Sequence, residues 1–146
     1  MNSCFLDTNV LVYLVDESSS YHLKVKKMIS QFEKNNTHLF VSHFILAEFI
    51  HVFSNLLQLV KEKNIYGNIE IALKKIGLIP TISIISPSED FVFTKSVIKI
   101  MEQYKLKSND AYILSILKEK DIPYLATFDQ ILIKAAKKLN INITKL

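Results

Sequence analysis

Four carboxylates, Asp7, Glu48, Asp110 and Asp129, stand at the end of, or just inside, apolar segments of this chain. Asp7 is the sharpest case. It follows Cys4-Phe5-Leu6 and precedes Thr8-Asn9-Val10-Leu11-Val12, the pattern of a short strand that delivers an acid to the mouth of a fold and then enters a helix. A charge inserted there costs stability unless a site uses it. If the other three acids converge on Asp7, the cluster stays ionised only with a bound cation. Hard oxygen ligands suit Mg2+ or Mn2+, as one ion or two, whereas zinc would be expected to recruit histidine or cysteine as well. Such a centre activates water for hydrolysis. In that chemistry Asp7 and Asp110 would hold the ion most directly, with Asp129 completing the shell or binding through water. Glu48 holds a second ion or orients the attacking water.

Each acid also has a plainer reading. Asp110 falls in the first turn of a helix, where a negative charge is favoured anyway. Asp129 stands where it would cap the helix that begins at Gln130. Glu48 lies about two turns into its helix, too deep to cap it. There it either faces water beside His51 or is buried and paired with a cation. His22, His38, His43 and His51 have no chelating spacing, and the chain has neither a glycine-rich phosphate loop nor a Gly-x-Ser-x-Gly elbow.

The elements that must position these acids alternate along the chain. A strand at Ser3–Leu6 leads to a helix from Asn9 to about Val15. After a turn whose serines, 18 to 20, can cap it, a second helix covers Tyr21 to Glu33, followed by a strand at His38–Val41. Ser42 caps a long helix from His43 to about Lys61, apolar on so many sides that more than one face must be covered, by another layer or by another chain. A further helix carries Ile69 to Leu78, with Gly77 marking its end. A strand at Thr81–Ile85 precedes Ser86-Pro87-Ser88-Glu89, which has the form of a capping box, and a helix that runs to Tyr104. Ser108 or Asn109 caps the helix of Asp110. Strands at Pro123–Thr127 and Ile141–Ile143 flank a last helix from Asp129 to Leu139. Strands separated by helices imply a parallel five-stranded sheet covered on both faces, a three-layer α/β/α architecture. Ligands bind such sheets beyond the carboxyl ends of the strands, where the order reverses.

With 146 residues the chain suits a single domain, 1–146, able to bury a core without staples. Phe44 to Val60 comes nearest to a membrane span, but Glu48 and His51 interrupt it, and the N-terminus lacks a secretory pattern; a cytoplasmic location is expected. The single cysteine, Cys4, excludes an internal disulfide and is expected to be buried. All 18 basic residues are lysines, and the net charge is +4. Lysines dispersed in this way suit an ordinary solvated surface, yet beside an acidic pocket they also supply the cations a polyanionic substrate needs at the rim. Lys107, next to Asp110 in the same turn, is the candidate phosphate contact.

Phe5-Leu6-Asp7-Thr8-Asn9-Val10-Leu11, the isolated Glu48, Ser108-Asn109-Asp110-Ala111-Tyr112 and Leu125-Ala126-Thr127-Phe128-Asp129 together resemble the four sequence blocks of the PIN domain, in their order and separation. In size the chain is most similar to the VapC group, the toxin halves of toxin–antitoxin pairs. The resemblance implies a sheet of order 3-2-1-4-5, with Asp7, Glu48, Asp110 and Asp129 as metal-binding catalytic acids. It also implies that Asn9 braces the first acid and that Thr127 supplies a supporting hydroxyl. It further implies a Mg2+- or Mn2+-dependent endoribonuclease acting on single-stranded RNA or a structured RNA loop, a homodimer, and a small antitoxin protein as partner. The chain departs from the commonest VapC pattern in having Ser108-Asn109 before the third acid, where glycine or proline is frequent, and in having no arginine.

Other readings remain beside it: an RNA-processing nuclease with no antitoxin, or a non-catalytic binding module of the same fold. A haloacid-dehalogenase-type phosphatase needs aspartate where Asn9 stands. A phosphorylated receiver domain needs an acidic pair near the first strand and a lysine after its last.

Overall fold

The computed structural model describes residues 3–88 and 90–144. Its sheet is entirely parallel, with strands β1 (Ser3–Leu6), β2 (His38–Ser42), β3 (Ile82–Ile85), β4 (Tyr124–Ala126) and β5 (Asn142–Ile143). Their order is β3-β2-β1-β4-β5, as the PIN resemblance implies. β1 pairs with β2 on one side and β4 on the other, so the connections diverge there and open a crevice beyond the ends of β1 and β4. Cys4, Phe5 and Leu6 are wholly buried, as the middle of a sheet covered on both faces requires.

The helices are α1 (Thr8–Val15), α2 (His22–Lys34), α3 (His43–Leu59), α4 (Ile65–Gly77), α5 (Phe91–Tyr104), α6 (Ser108–Glu119) and α7 (Gln130–Lys138). α1 packs against α2, α3 and α4, and α5 against α6. Right-handed crossovers put the first four on one face of the sheet and the last three on the other, giving the three-layer α/β/α arrangement.

Local chemistry sets several boundaries. Ser42 ends β2, and its hydroxyl accepts from the Ile45 amide at 3.2 Å, so one residue both closes a strand and caps α3. α3 buries Ile45, Phe49, Phe53 and Leu57, a stripe repeating every four residues, and leaves Ile50, Val52 and Leu59 exposed. Phe44, Leu46 and Leu56 pack partly against the core beside this stripe. α4 starts at Ile65, a turn earlier than the apolar pattern suggests, because the Asn64 side chain caps it through the Gly67 amide.

Three expected caps are replaced. α5 begins at Phe91, capped by Asp90, and the Ser88 amide donates instead to both carboxylate oxygens of Glu119. Glu89, the far end of the expected capping box, lies outside the described residues. α2 has no side-chain cap; the Ser19 hydroxyl accepts from Tyr21 within the turn. α6 starts at Ser108 itself with no side-chain cap, since Lys107 occupies the capping position, and Asn109 Nδ2 donates to Glu48. No helix among the described residues is long and apolar enough to cross a membrane.

Candidate active site

Asp7 directly follows β1. Its backbone N–H extends the ladder to β4 by donating to the Ala126 carbonyl at 3.0 Å, and its own carbonyl accepts from Val10. Asp7 thus belongs to the sheet and to the start of α1 at once. Its Oδ1 accepts from the Thr8 amide at 2.7 Å as the cap of α1. Its Oδ2 accepts from Asn9 Nδ2 at 2.7 Å and from the Thr127 hydroxyl at 2.6 Å. These bonds compensate a carboxylate that is only 6% exposed. Burial nevertheless pushes its pKa up from 3.8 to about 6, helped by the charges of Glu48 and Asp110, while the Thr127 and Thr8 bonds pull the other way.

Asp129 lies at the crevice through the loop after β4. That strand ends at Ala126, so Asp129 is the third residue beyond it, further out than the expected strand end at Thr127 would put it. The loop is tied down by Asn9 and Thr127. Asn9 Oδ1 accepts from the Phe128 amide at 3.2 Å, and the Thr127 hydroxyl oxygen accepts from the Asp129 amide at 3.0 Å. Asp129 is indeed the cap of α7, its Oδ1 accepting from Ile131 and Leu132. The plainer reading of this acid therefore describes one of its oxygens.

Glu48 does not pair with His51, whose ring instead meets Asn55. Its carboxylate is held at both oxygens: the Thr8 hydroxyl donates to Oε2 at 2.5 Å and Asn109 Nδ2 to Oε1 at 2.9 Å. Three elements, α1, α3 and α6, are linked by this one side chain. Asp110 sits in the first turn of α6, half-buried, its pKa raised by burial and then by the charges of Asp129 and Glu48. The Lys107 ammonium partly offsets that rise, which puts a cation beside the acids. Asp7 therefore feels Glu48 and Asp110, and Asp110 feels Glu48 and Asp129, so all four acids share one electrostatic neighbourhood.

The donor chemistry, carboxylate oxygens gathered at one crevice with the pKa values of Asp7 and Asp110 raised, fits a hard divalent cation. Among the described residues, however, no three His, Cys, Asp or Glu side chains close on one point tightly enough to hold an ion. The hydrogen bonds explain the spacing, since Glu48 is pinned toward Thr8 and Asn109 and Asp129 toward its helix. A cleft of about 520 Å3 lies elsewhere, along α5 and α6, lined by Val92, Lys99, Gln103, Glu119 and Leu139. It includes none of the four acids.

Thr8 and Asn109 were missed as site residues by sequence reasoning. Both adjoin a candidate acid, which was the available signal, but one reads as part of a helix start and the other as a cap.

The PIN domain family profile matches residues 4–138. A sequence search of curated proteins gave no match. Among solved structures, Mycobacterium tuberculosis VapC20, a Sarcin-Ricin loop cleaving toxin, is similar with a TM-score of 0.70 at 13% identity, covering 90% of this chain and 94% of that one. Rickettsia felis VapBC2, bound to a DNA fragment from its promoter, gives 0.69 at 21% identity, with 99% and 98% covered. FitAcB from Neisseria gonorrhoeae gives 0.60 at 15%, with 97% and 96% covered. At these identities the likeness is one of fold. The profile match spans nearly the whole chain, and with a 3-2-1-4-5 sheet it establishes that this protein belongs to the PIN domain family.

Proposed function

We propose that this chain is a divalent-cation-dependent endoribonuclease acting as one PIN domain, 1–146, and that it is the toxin of a cytoplasmic toxin–antitoxin pair. The observation that carries the reading is the electrostatic coupling of Asp7, Glu48, Asp110 and Asp129 at the crevice where the strand order reverses. Four acids in one neighbourhood repel one another, and the burial of Asp7 among them is costly for a structural role. Mg2+ or Mn2+, held by Asp7 and Asp110 with Asp129 and Glu48 completing the set, would supply charge neutralisation and a lowered water pKa. Asn9 and Thr127 keep the Asp7 carboxylate aimed by bonding its Oδ2. In this reading Glu48, hydrogen-bonded at both oxygens, would orient the attacking water, and Lys107 would meet the phosphate. Attack by water leaves 5′-phosphate and 3′-hydroxyl ends, so the 2′-hydroxyl serves recognition alone.

The toxin assignment draws on the VapC20, VapBC2 and FitAcB likenesses. Exposed apolar residues on α3 and α4, among them Ile50, Leu59, Tyr66 and Ile71, offer surface for a second copy or an antitoxin. The ligand shell that stays open among the described residues favours a second reading, a non-catalytic binding module.

The test is a Mg2+ or Mn2+ titration with mixed single-stranded RNA. Cleavage should require the cation and fall by at least about a thousandfold in Asp7→Asn and Asp110→Asn, since the ligand set is the reaction centre. Cation-independent cleavage, or full activity in Asp7→Asn, would overturn the reading, and cation binding without cleavage would favour the binding module.

A further inference from the structure

Beside the acids stands a cluster of three aromatic rings that the reaction chemistry leaves unused. Tyr13 and Phe128 meet edge to face, with ring centroids 5.0 Å apart. Tyr21 lies 4.7 Å from Phe128 and 5.0 Å from Tyr13. The cluster is built into the acid network through two elements. Phe128 stands between Thr127 and Asp129, and its amide is bonded to Asn9. Tyr13 is four residues beyond Asn9 on α1 and so on the same helical face.

The three rings are not equivalent. Tyr13 and Phe128 pack against the core, whereas Tyr21, in the turn before α2, is 42% exposed and outside that core. Packing accounts for the first two. It leaves unexplained why a third ring is held over them with much of its surface in water. An exposed ring, backed by two others and anchored next to carboxylates, is the arrangement on which a nucleobase stacks.

We propose that Tyr21, supported by Tyr13 and Phe128, is a stacking platform for an unpaired base of single-stranded RNA adjoining the phosphate that the acids address. This deepens the nuclease reading and rests on it for the identity of that phosphate. Stacking is available only to an unpaired base, so the platform selects single strands and loops over duplex, and it is tolerant of base identity because every base has a π-face. It answers a deficiency of this chain: with no arginine and no tryptophan, neither a guanidinium plane nor an indole can serve as the stacking partner.

The absence of tryptophan also provides the test, because Tyr21→Trp makes the sole indole in the protein. The full chain is titrated, with Ca2+ in place of the cleavage-supporting cation, with an adenosine dodecamer and with an abasic dodecamer carrying the same phosphates. The Tyr21→Trp emission should be quenched saturably by the adenosine strand and left unchanged by the abasic one. In parallel, Tyr21→Ala should weaken binding of the adenosine strand about tenfold, equivalent to ~1.4 kcal/mol, and leave abasic binding as it was. Thermal unfolding of both variants checks that they fold. Equal quenching by both strands, or unchanged affinity in folded Tyr21→Ala, overturns the platform. Base-dependent quenching in a protein that fails to cleave RNA with Mg2+ or Mn2+ would retain the platform and remove the nuclease reading.

Discussion

Asn109 shows how much of this site is carried by residues that are not themselves acids. Its side-chain amide and the Thr8 hydroxyl hold opposite oxygens of Glu48. Asn109→Ala releases one of them, leaving Glu48 free to rotate and its charge less well placed. Cation affinity measured by calorimetry should drop by about ten- to a hundredfold, the usual cost of losing such an outer partner, with the unfolding midpoint little changed. A drop in stability with unaltered affinity would assign Asn109 to the fold alone. Asp7 makes a prediction of a different kind. Its pKa rises from 3.8 to about 6 on folding, so the folded state prefers the protonated acid. The associated stability is whole below the unfolded value and lost as pH passes through the folded one. That gap corresponds to ~3 kcal/mol. In the presence of a chelator, thermal unfolding should therefore show a midpoint that declines from pH 4 to pH 7, and Asp7→Asn should flatten the decline. Mg2+ or Mn2+ should raise the midpoint more at pH 7 than at pH 5.

At the level of elements, Ser42 joins strand and helix in one residue. Ser42→Ala removes the bond to the Ile45 amide in a buried setting and should cost about 1 kcal/mol in urea unfolding, with an unchanged m-value. An unchanged midpoint would mean that α3 is held by its buried stripe alone. The strands and most helices were legible because their signals are local: Phe5 and Leu6 run continuously apolar, and Ser42 stands before an apolar helix. The positions of Asp7 and Asp110 relative to their elements were legible for the same reason, whereas β4 ends one residue sooner than its apolar run and leaves Asp129 further out. What escaped the sequence depends on partners distant along the chain. The Ser86-to-Glu89 box is locally persuasive, yet the Ser88 amide is taken by Glu119, 31 residues on, and the helix starts at Phe91 with Asp90 as its cap. Asn109 could equally well cap its own helix, and only the approach of α3 with Glu48 gives it another use. The Tyr13, Tyr21 and Phe128 cluster joins two ends of the chain that no periodicity connects.

For the molecule as a whole, charge of one sign is concentrated and charge of the other dispersed. The acids of the site share a crevice, while 18 lysines give a net +4. Among the described residues only two ion pairs form, Lys75 with Glu17 and Lys120 with Glu119, so most lysines are not neutralised by a neighbouring carboxylate. If about four of them contact phosphates, RNA affinity should fall by roughly three log units for each log unit of added salt. A flat salt dependence in filter binding would leave the positive surface without a role in RNA capture.

The double membership of Asp7, in the ladder through its bond to Ala126 and in α1 through its cap on Thr8, also constrains how this protein can decay. Replacing Glu48 unties the Thr8 and Asn109 side chains, whereas at position 7 the replacement must also start a helix. Asparagine meets that demand and sheds the buried charge. A descendant no longer selected for its acids would therefore keep Asn at this site, while the other acids scatter.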